Sequence, residues 1–208
     1  MSRRTIAIAA ALSVFALGSP LVIASANPLA DNLFHSGVDK YMQGDYQGAI
    51  ADYDKEAEIN PLDALVYYNR GKAKYSLQDY QGSIANYTKA IELDPQDADA
   101  YNNRGLSKDN LKDYQGAIAD YDKSIAINPQ NAAAHINRGN ANFKLKDYQG
   151  AIADYDKVIE INPKLADAYR MRGINKELIG DLKGACRDWR KAADFGLTEP
   201  AEWVKKQC

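Results

Sequence analysis

The sequence predicts an all-α solenoid: five copies of a two-helix unit stacked along the chain and closed by one further helix. Three recurrences carry this expectation. Glycine returns every 34 residues, at Gly37, Gly71, Gly105, Gly139 and Gly173. Proline returns with the same period at Pro61, Pro95, Pro129 and Pro163. A block Asp-Tyr-Gln-Gly opens at Asp45, Asp79, Asp113 and Asp147, with a looser copy at Asp181-Leu182-Lys183-Gly184. A fixed period of this length marks units that bury their apolar faces only against their neighbours. The skew of 14 Tyr against 4 Phe and 2 Trp has the same origin, a tyrosine position copied several times.

Within one unit, Ala64 to Asp97, the periodicity is helical. Tyr67, Gly71 and Ala73 to Tyr75 share a face of a first helix, A; Ile84, Tyr87, Ala90, Ile91 and Leu93 share a face of a second, B. Asp79 stands where helix B must start, and its carboxylate suits an N-cap. Helix B stops at Asp94-Pro95, because the residue before a proline is pushed out of the helical region. Glycine inside helix A costs about 1 kcal/mol relative to alanine. Its fivefold repetition implies a packing gain, expected here from a close approach to the small residue on helix B: Ala49, Ser83, Ala117, Ala151 or Ala185. Arg70, Arg104, Arg138 and Arg172 recur before the glycine. Asp52, Asp120, Asp154 and Asp188 recur on helix B, with Asn86 in the second unit. Pairing between these two series is expected to tune stacking at about 0–1 kcal/mol per exposed pair. The other reading of the arginines is an anion-binding ladder.

Tyr67, Gly71, Ser83, Tyr87, Ala90 and Pro95, repeated in register, resemble the tetratricopeptide repeat. The resemblance runs over units 30–63, 64–97, 98–131, 132–165 and 166–199. It implies a right-handed superhelix with the A helices on the concave face, and a protein-binding role. The chain departs from the family in carrying arginine for leucine before the glycine. Three residues after the glycine, Lys40, Lys74, Lys108, Asn142 and Lys176 replace the family tyrosine. In the fifth unit Leu197 replaces the proline and Gly196 reads as a helix C-cap. Trp203 falls 34 residues after Tyr169, so residues 200–208 are expected to form a capping sixth helix A.

Residues 1–26 belong to another class. Arg3 and Arg4 precede an uncharged apolar run from Thr5 to Leu17; Gly18 and Pro20 break it, and Ala24-Ser25-Ala26 reads as a cleavage site. This is the pattern of an export signal, which places the mature chain in the periplasm or outside the cell. The other reading is a retained membrane anchor. Removing Arg3 and Arg4 leaves 24 basic against 28 acidic residues, a net charge of −4, without the basic stripe a nucleic-acid partner requires. Cys186 and Cys208 are expected to form a disulfide in an exported chain, tying the cap to the fifth unit; the other reading is two free thiols.

The wheel of helix A places one stripe of each unit on the concave face. Asparagine recurs on it at Asn69, Asn103 and Asn137, and an amide ladder can bond the backbone of an extended peptide. Tyr68, Lys72, Asn102, Asn140 and Arg170 complete the expected peptide-binding set. Phe34, Tyr41, Tyr75, Ile136 and Phe143 add apolar surface to it, although Tyr75 and Phe143 also suit packing between helices. Asp31, Asp99, Asp109, Asp167 and Glu177 outnumber Lys72 and Arg170, which favours a neutral or basic partner segment. The family's clamp for acidic peptide C-termini finds no full match, since Val38, Asp99 and Ala133 occupy its positions. His135 falls at a packing position and His35 stands alone on the stripe, and no HExxH, CxxC, GxSxG or phosphate-loop pattern occurs. No enzyme, metal or cofactor is expected. The expected function is a scaffold that holds a partner's extended segment and so assists complex assembly. The rivals are a self-associating scaffold and a membrane-anchored subunit of a larger complex. Small bacterial proteins of this family, cyanobacterial ones among them, are the ones this chain resembles.

Overall fold

A computed structural model describes residues 27–208; the expected export signal lies outside them. Five helical hairpins follow one another: α1 (Pro28–Met42) with α2 (Tyr46–Ile59), α3 (Ala64–Ser76) with α4 (Tyr80–Leu93), α5 (Ala98–Asn110) with α6 (Tyr114–Ile127), α7 (Ala132–Lys144) with α8 (Tyr148–Ile161), and α9 (Ala166–Leu178) with α10 (Leu182–Asp194). A single helix, α11 (Thr198–Gln207), closes the array and begins two residues before the boundary that repeat arithmetic gives. The described residues form an α-solenoid without strands, in which each helix packs on the next. No helix of the described residues is long and apolar enough to cross a membrane.

Local chemistry sets the helix ends. Asp45, Asp79, Asp113, Asp147 and Asp181 each accept the backbone N–H three residues on, capping the B helices. Asn27, Asp63, Asp97 and Asn131 cap the first four A helices, Asn27 and Asp63 by accepting the N–H two residues on, Asn131 three residues on, and Asp97 both. The fifth A helix follows Leu165 without a side-chain cap. Gly196 sits at φ +102°, and Leu197 N–H reaches back to the Ala192 carbonyl at 3.1 Å, which ends α10 in a left-handed turn.

An aromatic ring of helix B packs against the repeated glycine, beside the small residue expected there: a Cβ at Gly173 would also stand 3.3 Å from the Ala185 carbonyl. One ring per B helix packs against the glycine: Tyr53, Tyr87, Tyr121, Tyr155 and Trp189, each no more than 2% exposed. A Cβ at Gly71 would stand 2.9 Å from Tyr87 Cε1, and one at Gly173 would stand 2.5 Å from Trp189 Nε1. Burying such a ring stabilises by roughly 2–3 kcal/mol, which outweighs the glycine penalty of about 1 kcal/mol. The small helix B residue also serves the next unit: Ser83 Oγ lies 3.0 Å from Ser107 Oγ of the third repeat.

The arginine and aspartate series do pair, but in the interior, and this revises the energy expected of them. Asp120, Asp154 and Asp188 are 3%, 1% and 4% exposed. Arg104 donates to both oxygens of Asp120, at 2.9 and 2.6 Å, and Arg172 binds Asp188 in the same two-pronged way. The free prong reaches the preceding B helix: Arg138 Nη1 to Asp122 and Arg172 Nη1 to Asp156, both at 2.6 Å, and Arg104 to Thr88 at 3.1 Å. Each arginine therefore clasps two units, which leaves no anion-binding ladder. The departures three residues after the glycine complete the clasp. Lys40, Lys108 and Lys176 pair with Asp52, Asp120 and Asp188, and Asn142 donates to Asp154. Where Asn86 replaces the aspartate, Lys74 turns to Asp79. Removing one partner of such a buried pair is worth about 3–5 kcal/mol, well above the surface value.

Candidate partner-binding groove

The A helices of the first four units touch one another directly, α1 to α3, α3 to α5 and α5 to α7, and so form the inner surface. Hydrogen bonds 35 residues apart stitch that surface. Asn103 Nδ2 donates to Tyr68 Oη at 2.9 Å, Asn137 to Asn102 Oδ1 at 2.9 Å, and Asn110 to Tyr75 Oη at 3.0 Å. Lys144 pairs with Asp109 at 2.5 Å across the same spacing. The stripe is thus a cross-linked floor, its amides holding neighbouring repeats in register.

The expected site residues separate into three groups. Lys72 and Asn103 meet in one cavity of about 140 Å³, walled by Tyr41, Tyr75, Tyr87 and Leu106. Asn140 and Arg170 meet in a second, of about 160 Å³, with Ile136, Tyr155 and Met171. The remaining four serve the floor. Asn69 bonds its own helix at the Leu65 carbonyl, Asn102 is buried, Asn137 holds Asn102, and Tyr68 packs edge-on to Tyr87 at 5.7 Å. Tyr75 and Phe143 lie against Tyr80 and Tyr148 at the start of their B helices.

Lys72 is the unsatisfied group of the first cavity. Its ammonium stands 5.0 Å from the Tyr41 ring centre and 5.9 Å from that of Tyr68, and no carboxylate among the described residues pairs with it. The rings attract the cation through their faces, and no acceptor among the described residues takes a hydrogen bond from it. In the second cavity Arg170 is held by Asp167 at 2.8 Å, and Asn140 accepts from Tyr155 Oη at 2.7 Å. Burial raises the Tyr68 hydroxyl above its ordinary range, with Asp99 and Asp97 adding to it, so it stays a neutral donor. Among the described residues no cluster of His, Cys, Asp or Glu suits a metal ion. His135 is buried in the stack, with Nε2 3.2 Å from the Pro129 carbonyl, the place that the Tyr169 hydroxyl takes on Pro163. Sequence reasoning missed the partnering of the amides, which a helical wheel cannot show because it leaves the neighbouring helix undrawn.

Family profiles agree with this geometry. One described as TPR repeat matches residues 71–108, and one described as tetratricopeptide repeat matches 98–131 and 132–165. The chain is a tetratricopeptide-repeat protein. A crystal structure of MamA is 28% identical, with a TM-score of 0.73, over 82% of this chain and 96% of that one. YrrB, described as a TPR protein with an unusual peptide-binding site, is 20% identical, with a TM-score of 0.74, over 86% and 94%. PilW, described as a widely conserved type IV pilus biogenesis factor, is 21% identical, with a TM-score of 0.69, over 82% and 79%. No curated protein matches the sequence. Family and fold together mark the chain as a protein–protein interaction scaffold.

Proposed function

We propose that the groove holds an extended segment of a partner protein between the first and third repeats, without chemistry on it. The observation that carries this reading is the cavity around Lys72, where an unpaired cation lies among tyrosine faces and beside Asn103 on a floor already cross-linked. Pre-organisation of that kind lowers the ordering cost of binding. Backbone carbonyls of the segment accept from Lys72, and its side chains lie on Tyr41 and Leu106. The Asn140–Arg170 cavity receives the segment's far end. Asp31, Asp99 and Glu177, which have no ion-pair partner among the described residues, favour a neutral or basic segment. Holding such a segment suits a role in assembling a larger complex, and the peptide-binding site of YrrB supports the comparison. Residues 1–26 support export, and the disulfide supports an oxidising compartment. A displayed library of ten-residue segments, of about that length, tests the groove. Wild type enriches binders, and Lys72→Ala weakens them about tenfold, as expected for a lost charge-assisted bond of about 1.5 kcal/mol. An unselected library, or equal binding by Lys72→Ala, would overturn the reading.

A further inference from the structure

The fifth repeat departs from the other four on the outer face of its B helix. At one position Gln47, Gln81, Gln115 and Gln149 give way to Lys183. At another Ala51, Ala85, Ala119 and Ala153 give way to Arg187. At a third Asp54, Thr88, Asp122 and Asp156 give way to Arg190. The third change removes the acceptor that would take the next unit's clasp, and Lys206 stands where that clasping arginine would be. Lys183, Arg187 and Arg190 follow at i, i+4 and i+7, so they share one face of α10. All three are exposed, and no carboxylate among the described residues pairs with any of them. With the half-exposed Leu182 they line a cavity of about 360 Å³ beside the Cys186–Cys208 bond.

The opposite end of the array carries the complementary charge. Residues 27–63 hold eight acidic and two basic residues, whereas residues 166–208 hold nine basic and seven acidic. On α1, Asp31, His35 and Asp39 share an outward face, all three exposed, and neither aspartate is ion-paired within the described chain. Leu29 and Met42, 59% and 78% exposed, stand at the two ends of that helix. We propose that the cationic face of α10 docks onto the acidic α1 face of a second copy of this chain, joining copies head to tail. Such an interface is heterologous, so repeated docking extends a row of copies. Apolar contact comes from Leu182 on one side and Met42 on the other; charge supplies register and rate. The inference does not rest on the groove reading: Asp31 and His35 lie on the stripe, but none of the docking residues lines the Lys72 or the Asn140–Arg170 cavity.

Sedimentation velocity of the full chain over a concentration series tests it, at about 50 mM and about 500 mM NaCl, between which the screening length falls from roughly 14 to 4 Å. Wild type is expected to associate with rising concentration at low salt, and about tenfold more weakly at high salt. A Lys183→Glu, Arg187→Glu, Arg190→Glu triple variant and an Asp31→Lys, Asp39→Lys double variant each stay monomeric, with wild-type helix content by circular dichroism. Mixed together, they associate again, because each supplies the charge the other has reversed. A wild type that stays monomeric at low salt overturns the proposal, even if it binds an acidic peptide such as polyglutamate. So does association that survives both sets of substitutions. Lys72→Ala leaves association unchanged, which keeps this test separate from that of the groove.

Discussion

The first and third repeats share one 34-residue pattern, yet they bury the same carboxylate by different means. In the third, Asp120 is gripped by the two-pronged Arg104 and by Lys108 at 2.8 Å, with both cations largely covered. In the first, Asp52 has only Ser36 and Lys40, each at 2.6 Å, and Lys40 is 36% exposed. Burial alone would raise the Asp52 carboxyl, but the Lys40 and Ser36 bonds outweigh it and hold it below its usual range. The third repeat also clasps its predecessor through Thr88, whereas Ser36 is too short to clasp anything beyond its own unit. One position shows the contrast again: the third repeat carries Ser124, hydrogen-bonded to Asn131, and the first carries Glu56, 2% exposed with one oxygen unpartnered. The middle of the solenoid is therefore built for stacking, and the first unit is the softer end.

The largest effect is expected at the clasp. Asp120→Ala strands two covered cations and should destabilise by about 3–5 kcal/mol in urea unfolding; Asp52→Ala should lose only about 1–2 kcal/mol. Equal losses would erase the distinction between the two repeats. Next comes the opposite end, where the Cys186–Cys208 bond ties α11 to α10 across a sequence separation of 22 residues. Its removal in a Cys186→Ser, Cys208→Ser variant should cost about 3 kcal/mol, with hydrogen exchange rising first in α11. Uniform exchange along the chain would show that the cap does not act locally.

The smallest effect is the pH dependence of the first repeat. Burial pushes the Glu56 carboxyl from 4.5 up to about 7, with Asp63 and Asp31 adding repulsion. The folded form thus holds this proton more tightly than the unfolded chain does. The contribution is complete below about pH 4.5 and is lost as pH rises through about 7. Glu56→Gln should gain about 2 kcal/mol at pH 8 and nearly nothing at pH 4. A gain independent of pH would place the effect in packing and remove Glu56 as a source of softness.

Much of the array was legible because copying makes errors visible. Gly71, Asp79 and Pro95 each have a local cause that acts within a few residues, so their recurrence located helices, caps and stops. The disulfide was legible only as one of two readings, since a cysteine count carries no distance. The partners of Asn103 and Asn137, the ring on Gly71 and the aspartate held by Lys108 were not legible at all. Those contacts join residues on different helices, and a single strand of periodicity carries no information about which neighbour faces which side chain.

By itself, then, the sequence determined the period, the helices and the family of this protein, because capping, helix breaking and amphipathicity are local properties summed along the chain. Only the tertiary structure decided that the asparagines stitch the floor of the groove, that Lys72 is left free above it, and that the arginines bridge units from within. The physical reason is that a buried donor takes the nearest acceptor in space, and stacking two repeats makes that acceptor one that lies 16 or 35 residues away, as for Arg138 on Asp122 and Asn103 on Tyr68.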